Sequence, residues 1–230
     1  MTPADLLNRE LARDAARPFV TWYDDSADGR VELSLATTAN WVAKIAGLLT
    51  DEHDVEPGVT LAADLPLHWQ TVCVLLAVWS CGAAVALDVV SDLTLGPAST
   101  SDIVVQPDPM GMSLSRLVAA QPDRFAPVVP VAGDAPGLLA SARQWSHDEL
   151  GETATQWATR HGIDGHSRVL STHALDTPDG LVAGLLGPLA AGASVVLVNN
   201  ADQSRLTQRC EMENVTHTSG VSVPGVVRLD

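Results

Sequence analysis

The chain has 230 residues, of which 28 are acidic and 13 basic, so its formal charge is −15 and its pI is near 4.6. This charge repels phosphate backbones and anionic lipid surfaces, which argues against nucleic acid and membrane partners. With 46% apolar and 18% charged residues the chain buries enough surface to fold, which excludes wholesale disorder. These values predict one or two globular domains.

The cysteines and lysines narrow the chemistry further. Cys73, Cys81 and Cys210 are widely spaced and form no Cys-x-x-Cys pair, which predicts reduced, buried thiols and a cytoplasmic protein. The N-terminus lacks the apolar stretch of a signal peptide, so we expect no export. Lys44 is the only lysine among the 13 basic residues, which excludes any mechanism that needs two lysines from this chain.

The first half contains patterns of both helices and strands. N-caps with apolar residues at helical spacing predict the helices, and apolar or β-branched runs bounded by turn residues predict the strands. In chain order we predict a helix that starts at Thr2, a hairpin of strands 19–23 and 31–35, a helix capped near Thr37 or Thr38, a strand over 59–65, a helix over 69–79, and strands over 83–87 and 103–105.

The second half repeats part of this pattern. A helix over 181–189 stops at Gly192 and leads into a strand over 193–198, as the earlier helix stops at Gly82. A helix, a glycine stop and a buried strand form half of a parallel crossover. The other predicted elements are a helix over 114–119, a strand over 127–131, a loop over 133–140, a helix capped at Ser146, a strand over 168–171, a polar helix over 202–214 and a strand over 215–219.

We therefore predict an α/β fold of two related subdomains with mostly parallel sheets flanked by helices. The first subdomain covers residues 1–106 and the second residues 112–230, with a boundary at Pro107–Gly111. The apolar run over 180–198 is long, but glycines and a proline interrupt it, so we interpret it as buried protein core rather than a membrane helix.

Two blocks of residues carry a family resemblance. The first is EPGVTLAADLP at 56–66 with LLAVWSCGAAV at 75–85, and the second joins Trp145-Ser146-His147 to the segments 167–171, 180–186 and 191–196. Both blocks resemble the N-terminal part of adenylate-forming AMP-binding enzymes such as acyl-CoA synthetases. Among these, the chain resembles a short actinobacterial family of uncharacterised proteins. The resemblance implies the α/β fold given above.

The same resemblance implies that parts of the catalytic machinery are missing. In these enzymes a Ser/Thr/Gly-rich loop with a lysine precedes the Ser146-His147 segment and holds the phosphates of ATP. Residues 131–144 keep only scattered glycines, Pro136 lacks an amide donor, and Ser141 stands where the lysine belongs. The adenine, ribose and C-terminal lysine motifs fall past the end of this sequence. We expect no catalytic residue, no cofactor and no independent adenylation.

The candidate ligand-binding residues are His173, Asp176 and Asp179, which follow the predicted strand over 168–171. Ligands of α/β sheets bind beyond the carboxyl ends of strands, although the polarity of a loop also explains these residues. We predict no metal site, because the closest histidine pair, at 161 and 166, lacks a His-Glu-x-x-His pattern. A nucleophilic Ser219 beside His217 is an alternative that their spacing does not guarantee.

These observations predict a catalytically silent relative of adenylate-forming enzymes that acts as a small-ligand-binding or protein-interaction module. The ligand would be a small acyl, nucleotide or CoA-like molecule, and a partner would dock on the surface that the missing half covers in the enzymes. We also predict a homodimer, because a shortened sheet must cover its edge and faces. The alternative is an enzyme half that a partner completes in trans.

Overall fold

The computed structural model describes residues 1–105, 114–141 and 143–229. In these ranges the strands form two six-stranded sheets, and each sheet is parallel except for one antiparallel strand at an edge. Helices pack against both sheets. The predicted fold class is confirmed.

The first elements along the chain alternate between helices and strands. They are α1 (Pro3–Arg13), β1 (Pro18–Asp24), β2 (Gly29–Ser34), α2 (Leu35–His53), β3 (Thr60–Ala63), α3 (Trp69–Ser80), β4 (Ala84–Leu87), β5 (Leu93–Gly96) and β6 (Ile103–Val104). The remaining elements are α4 (Leu114–Leu117), β7 (Pro136–Ala140), β8 (Arg143–Ser146), α5 (His147–His161), β9 (Arg168–Ser171), α6 (Pro178–Leu181), a π-helical turn (Val182–Leu186), α7 (Gly187–Ala191), β10 (Ser194–Asn199), α8 (Gln203–Met212), β11 (His217–Ser219) and β12 (Val227–Arg228).

Each of the two sheets contains strands from both halves of the chain. One sheet has the order β12-β11-β9-β10-β1-β2, and the other has the order β6-β5-β3-β4-β7-β8. The N-terminal hairpin therefore lies in the sheet of the C-terminal strands, where Val20 pairs with Val195. The division into residues 1–106 and 112–230 stays a prediction, and its boundary at Pro107–Gly111 lies outside the described residues.

The predicted crossover repeat is present in both sheets. Gly82 after α3 has φ +78° and Gly192 after α7 has φ +72°, a left-handed conformation that favours glycine. Each glycine reverses the chain so that a buried strand follows within two residues: β4 is buried throughout, and β10 is buried except at its two end residues. The matched sequence pattern therefore reflects the same local geometry.

The helix starts follow capping chemistry, with one correction. Thr2 and Asp5 form the expected capping box of α1. The prediction that α2 is capped near Thr37 or Thr38 is wrong, because Ser34 is the N-cap and its Oγ accepts the Thr37 N–H at 3.2 Å. The last residue of β2 thus caps the helix directly, without a loop between them.

Two adjacent predictions in the middle of the chain are also wrong. The predicted strand over 127–131 is an exposed segment without strand structure, because Pro127 and Pro130 carry no N–H to donate to a ladder. The predicted loop over 133–140 contains β7, which lies between β4 and β8. Leu138 of β7 is buried beside Val85, so pairing with β4, which is distant in the sequence, makes this segment a strand.

The predicted helix over 181–189 divides into α6, the π-helical turn and α7. Pro188 cannot donate an N–H inside a helix, and the Gly187 N–H bonds the Val182 carbonyl five residues back. Gly187 also abuts the indole of Trp157, where an added Cβ would lie 2.2 Å from the ring. One proline and one close helix contact therefore account for the π-helical turn.

Within the described ranges, no helix combines the length and apolarity that crossing a bilayer requires.

A buried ionic cluster joins the end of α8 to three strands. The Glu213 carboxylate accepts the Tyr23 hydroxyl at 2.5 Å and Arg30 Nη2 at 3.0 Å, and it also pairs with Arg168. Burial favours the neutral acid, but hydrogen bonds from Tyr23 and Arg168 outweigh it and lower the pKa of Glu213. This cluster fastens α8 to β1, β2 and β9.

A histidine lies inside the aromatic part of the core. His68 caps α3, where its Nδ1 accepts the Gln70 N–H at 3.1 Å, and its ring contacts Trp22 and Trp69 at centroid distances of 4.4 and 5.3 Å. Burial lowers the pKa of His68 to about 4, and the Asp24 carboxylate offsets this only in part. The imidazole is therefore neutral in the folded protein at physiological pH.

We expect this histidine to make stability depend on pH. As the pH falls from 7.5 to 5, the unfolded state binds a proton at the ordinary histidine pKa of 6.5 while the folded state does not. The free energy of unfolding should fall by about 2 kcal/mol more in the wild type than in His68→Asn, which keeps a capping side chain but does not titrate. Urea unfolding at both pH values measures this difference, and parallel losses in the two proteins would contradict it.

Candidate functional site

A cavity of about 340 Å³ lies beyond the carboxyl ends of β9 and β11. His173 and Asp179 both line it, so the structure brings these two predicted residues together. Asp176 is exposed and does not line the cavity. The position agrees with the rule that ligands of open α/β sheets bind where parallel strands end.

The register of two neighbouring strands positions His173. β9 and β11 run parallel with Ser171 opposite Ser219, so the residues that follow them lie side by side. The Thr172 N–H donates to the Ser219 carbonyl at 3.2 Å, and the His173 N–H donates to Ser171 Oγ at 3.2 Å. Gly220 comes next, and a Cβ there would lie 3.1 Å from His173 Nε2. The glycine therefore leaves room for the imidazole.

Two helical segments and the C-terminal strand region complete the wall. From α5 come Thr153, Gln156, Trp157 and Arg160, whose spacing places them on one helix face. The π-helical turn contributes Val182 and Ala183, and the remaining lining residues are Ser219 and Leu229. The contribution of α5 was not predicted, although its residues have helical spacing, because no pattern in the sequence identifies the element that this helix faces.

The cavity combines an apolar wall with separated polar groups. Trp157 and Leu229 supply apolar surface, and Ser219 is only 1% exposed. Arg160 and Asp179 are exposed charges of opposite sign at the rim. This composition is typical of small-molecule sites, in which a few polar groups orient an otherwise apolar ligand.

The other predicted histidine and serine pairings have different surroundings. His217 Nδ1 shares a hydrogen bond with Thr216 Oγ1 at 2.8 Å, and burial lowers the pKa of His217. Ser219 lines the cavity instead. His161 contacts the ring of Trp157 at a centroid distance of 4.9 Å. Within the part of the chain that is described, no three His, Cys, Asp or Glu side chains form a group that could hold a metal ion.

The segment that resembles the region of the phosphate loop forms the edge hairpin β7-β8. Ser141, which the sequence resemblance aligns with the lysine of adenylate-forming enzymes, is exposed just after β7. The single lysine of the chain lies on α2, where Lys44 Nζ donates to the Gln121 carbonyl at 2.7 Å and pairs with Asp123 at 3.1 Å. His147 begins α5, and burial lowers its pKa.

The three cysteines are free and buried. Burial raises the pKa of the Cys73 thiol strongly and that of Cys81 to about 12, so both stay protonated at physiological pH. Burial also raises the pKa of Cys210, against the partial opposition of Arg209. These thiols pack as apolar groups rather than as nucleophiles.

The fold is shared with acyl-CoA synthetases. The N-terminal domain of FACL13 from Mycobacterium tuberculosis matches with a TM-score of 0.80 at 14% identity, covering 96% of this chain and 62% of that chain. A fatty acyl CoA synthetase of Mycobacterium tuberculosis matches at 0.76 and 14%, covering 95% of this chain and 49% of that one. ATP-bound MatB from Rhodopseudomonas palustris matches with a TM-score of 0.78 at 15% identity, covering 96% of this chain and 49% of that one. The chain thus spans about half the length of these synthetases.

The architecture is therefore that of the N-terminal part of acyl-CoA synthetases and adenylation enzymes, as the sequence resemblance implied. No family model matches the sequence. A TIGR03089 family protein of Mycobacterium tuberculosis is 37% identical over 233 residues, covering 92% of this chain and 95% of that protein. The chain belongs to the TIGR03089 family.

Proposed function

We propose that this protein is a catalytically silent binding module and that the cavity with His173 and Asp179 holds a small acyl ligand. The observation that carries the proposal is the cavity itself, which lies where α/β folds bind ligands and joins apolar walls to a cationic rim group. We narrow the predicted ligand site to His173 and Asp179, because Asp176 lies outside the lining.

Catalytic silence is supported by the positions of the cations. The sequence resemblance puts an exposed serine, Ser141, where adenylate-forming enzymes carry their phosphate-loop lysine. Lys44 of α2 is held by Gln121 and Asp123 and is not among the residues that line the cavity. Charge that develops on transferring phosphates needs preorganised donors and cations, and neither Ser141 nor Lys44 supplies such a cation.

The size of the cavity favours a short acid over a nucleotide. Its volume of about 340 Å³ is at the lower end of the range of ligand pockets, which runs from roughly 300 to 1,000 Å³. Trp157, Val182 and Leu229 can cover an alkyl or aryl group, and Arg160 can meet a carboxylate at the rim. Asp179 would repel the same carboxylate and so limit its affinity.

Calorimetric titration with butanoate, hexanoate and benzoate tests the ligand class. We expect saturable binding, weakened about tenfold by Arg160→Gln and by His173→Ala, because each removes a polar contact worth about 1.4 kcal/mol. Asp179→Asn should strengthen binding, because it removes a like charge. Asp176→Ala is the matched control, since it deletes an exposed carboxylate of the same segment that does not line the cavity.

The pattern across these variants decides the proposal. Equal affinities in all four variants would remove the cavity as the binding site, and no heat with any of the acids would remove the acyl ligand. Mg²⁺-dependent heat with ATP in place of the acids would instead indicate a nucleotide site.

A second candidate function is supported by the extent of the structural match, because the chain spans about half the length of the synthetases it matches. In this alternative, a partner supplies the other half of an adenylate-forming enzyme in trans. A co-purified second subunit in native mass spectra of the protein from its own cells would favour it. A homodimer remains our proposal for the protein alone, with cytoplasmic residence supported by its free, buried thiols.

A further inference from the structure

A second cavity shares no lining residue with the cavity that His173 and Asp179 line. It has a volume of about 620 Å³ and lies between α1, α2 and the mostly exposed segment 122–131, here called the strap. Leu11 of α1, Val42 of α2 and Phe125 of the strap supply apolar wall. The proposed function gives this cavity no role.

The strap covers the cavity but is weakly attached. No backbone–backbone hydrogen bond joins residues 122–131 to the rest of the described chain. The half-buried Phe125 packs against the main core, and Lys44 holds the start of the strap through the Gln121 carbonyl and Asp123. The intervening residues Ala126 to Pro130 are all exposed and apolar. A strap held at so few points can move aside for an entering molecule.

The charges around the cavity compensate one another. Asp5 accepts the Thr2 N–H in the capping box at 2.9 Å, and Asp123 pairs with Lys44 at 3.1 Å. Arg124 is exposed at the rim, and Lys44 pairs with Asp123 from outside the lining, so the two carboxylates are matched by two cations only when Lys44 is included. An apolar cavity without a net charge disfavours an ionic ligand, which would lose its hydration without gaining a counter-ion.

Two exposed amides also line this cavity. Asn8 comes from α1 and Asn40 from α2, and each amide offers both a donor and an acceptor. We propose that the cavity beneath the strap binds an uncharged small molecule with an apolar body and a carbonyl, hydroxyl or amide group. The apolar body lies between α1, α2 and Phe125, and its polar group meets one of the two asparagines.

Nile red is a suitable probe because it is uncharged, apolar and carries a carbonyl, and its emission reports an apolar environment. We expect saturable binding to the full chain, weakened at least tenfold by Ala39→Trp, which fills the cavity from α2. Thr37→Trp is the matched control: it places the same indole on the same helix at an exposed position outside the lining, and affinity should stay within twofold. The anionic dye 1-anilinonaphthalene-8-sulfonate should bind at least tenfold more weakly than Nile red.

A second variant protects the test against misfolding of the first. Leu11→Gln makes the α1 wall polar without adding bulk, and it should also weaken Nile red binding at least tenfold while circular dichroism stays native. Unsaturable binding, or equal affinity in the wild type and in whichever of the two variants is folded, would overturn the site. Anionic dye binding as tight as that of Nile red would overturn the uncharged ligand class.

Discussion

We expect the purified chain to release no pyrophosphate above background when it is incubated with ATP, Mg²⁺ and a series of carboxylic acids. Loss of one preorganised donor lowers a rate by about 10²–10³, and the sequence resemblance puts Ser141 where adenylate-forming enzymes have the lysine of the phosphate loop. The only lysine is engaged by Gln121 and Asp123. Several losses together should place the rate below detection.

A coupled pyrophosphate assay measures this, with a complete acyl-CoA synthetase as the positive control. Because a trace of contaminating synthetase would also release pyrophosphate, His173→Ala protein prepared in the same way serves as the matched sample. Release that needs an added acid and disappears in His173→Ala would show that the chain itself is an adenylating enzyme. Release that is equal in both preparations would be assigned to contamination.

Removal of the buried carboxylate at the end of α8 should cause the largest loss of stability among the variants considered. Glu213 is 8% exposed and bonds Tyr23, Arg30 and Arg168. Glu213→Ala removes the nearest carboxylate from the largely buried Arg168 guanidinium and leaves it only Glu32, at 3.8 Å, as an ion-pair partner. We therefore expect the free energy of unfolding to fall by about 3 kcal/mol. Urea or thermal unfolding at neutral pH measures the loss.

The controls for this prediction lie beside the residue itself. Glu211→Ala removes an exposed carboxylate from the same helix and should change stability by no more than about 0.5 kcal/mol. Glu213→Gln keeps an acceptor but not the charge, so its loss should fall between those of the other two variants. If Glu213→Ala and Glu211→Ala are equally stable, the cluster does not fasten α8 to the sheet.

Local sequence signals were enough to predict most elements and the fold class. Capping residues such as Thr2 and Ser146 act within one helical turn, and the glycine stops at 82 and 192 act within two residues. The resemblance to adenylate-forming enzymes likewise rests on short segments, none of which is longer than 11 residues. Such features need no knowledge of distant partners, which is why they could be interpreted correctly from sequence.

The middle of the chain shows where local signals fail. The apolar run with Pro127 and Pro130 was predicted as a strand and is the exposed strap, whereas β7 was predicted as a loop. The β7 segment is a strand because Val85, more than fifty residues earlier in the chain, lies opposite Leu138. Strand formation depends on an available edge as much as on composition.

The sequence by itself determined the α/β class, the crossover units and the absence of a second lysine, because these depend on short-range patterns and on composition. Only the tertiary structure decided that Val20 pairs with Val195, that His173 and Asp179 share a cavity with α5, and that Asp176 stays outside it. The physical reason is that strand register and helix packing join residues far apart in the chain, and no periodicity within one segment specifies its partner.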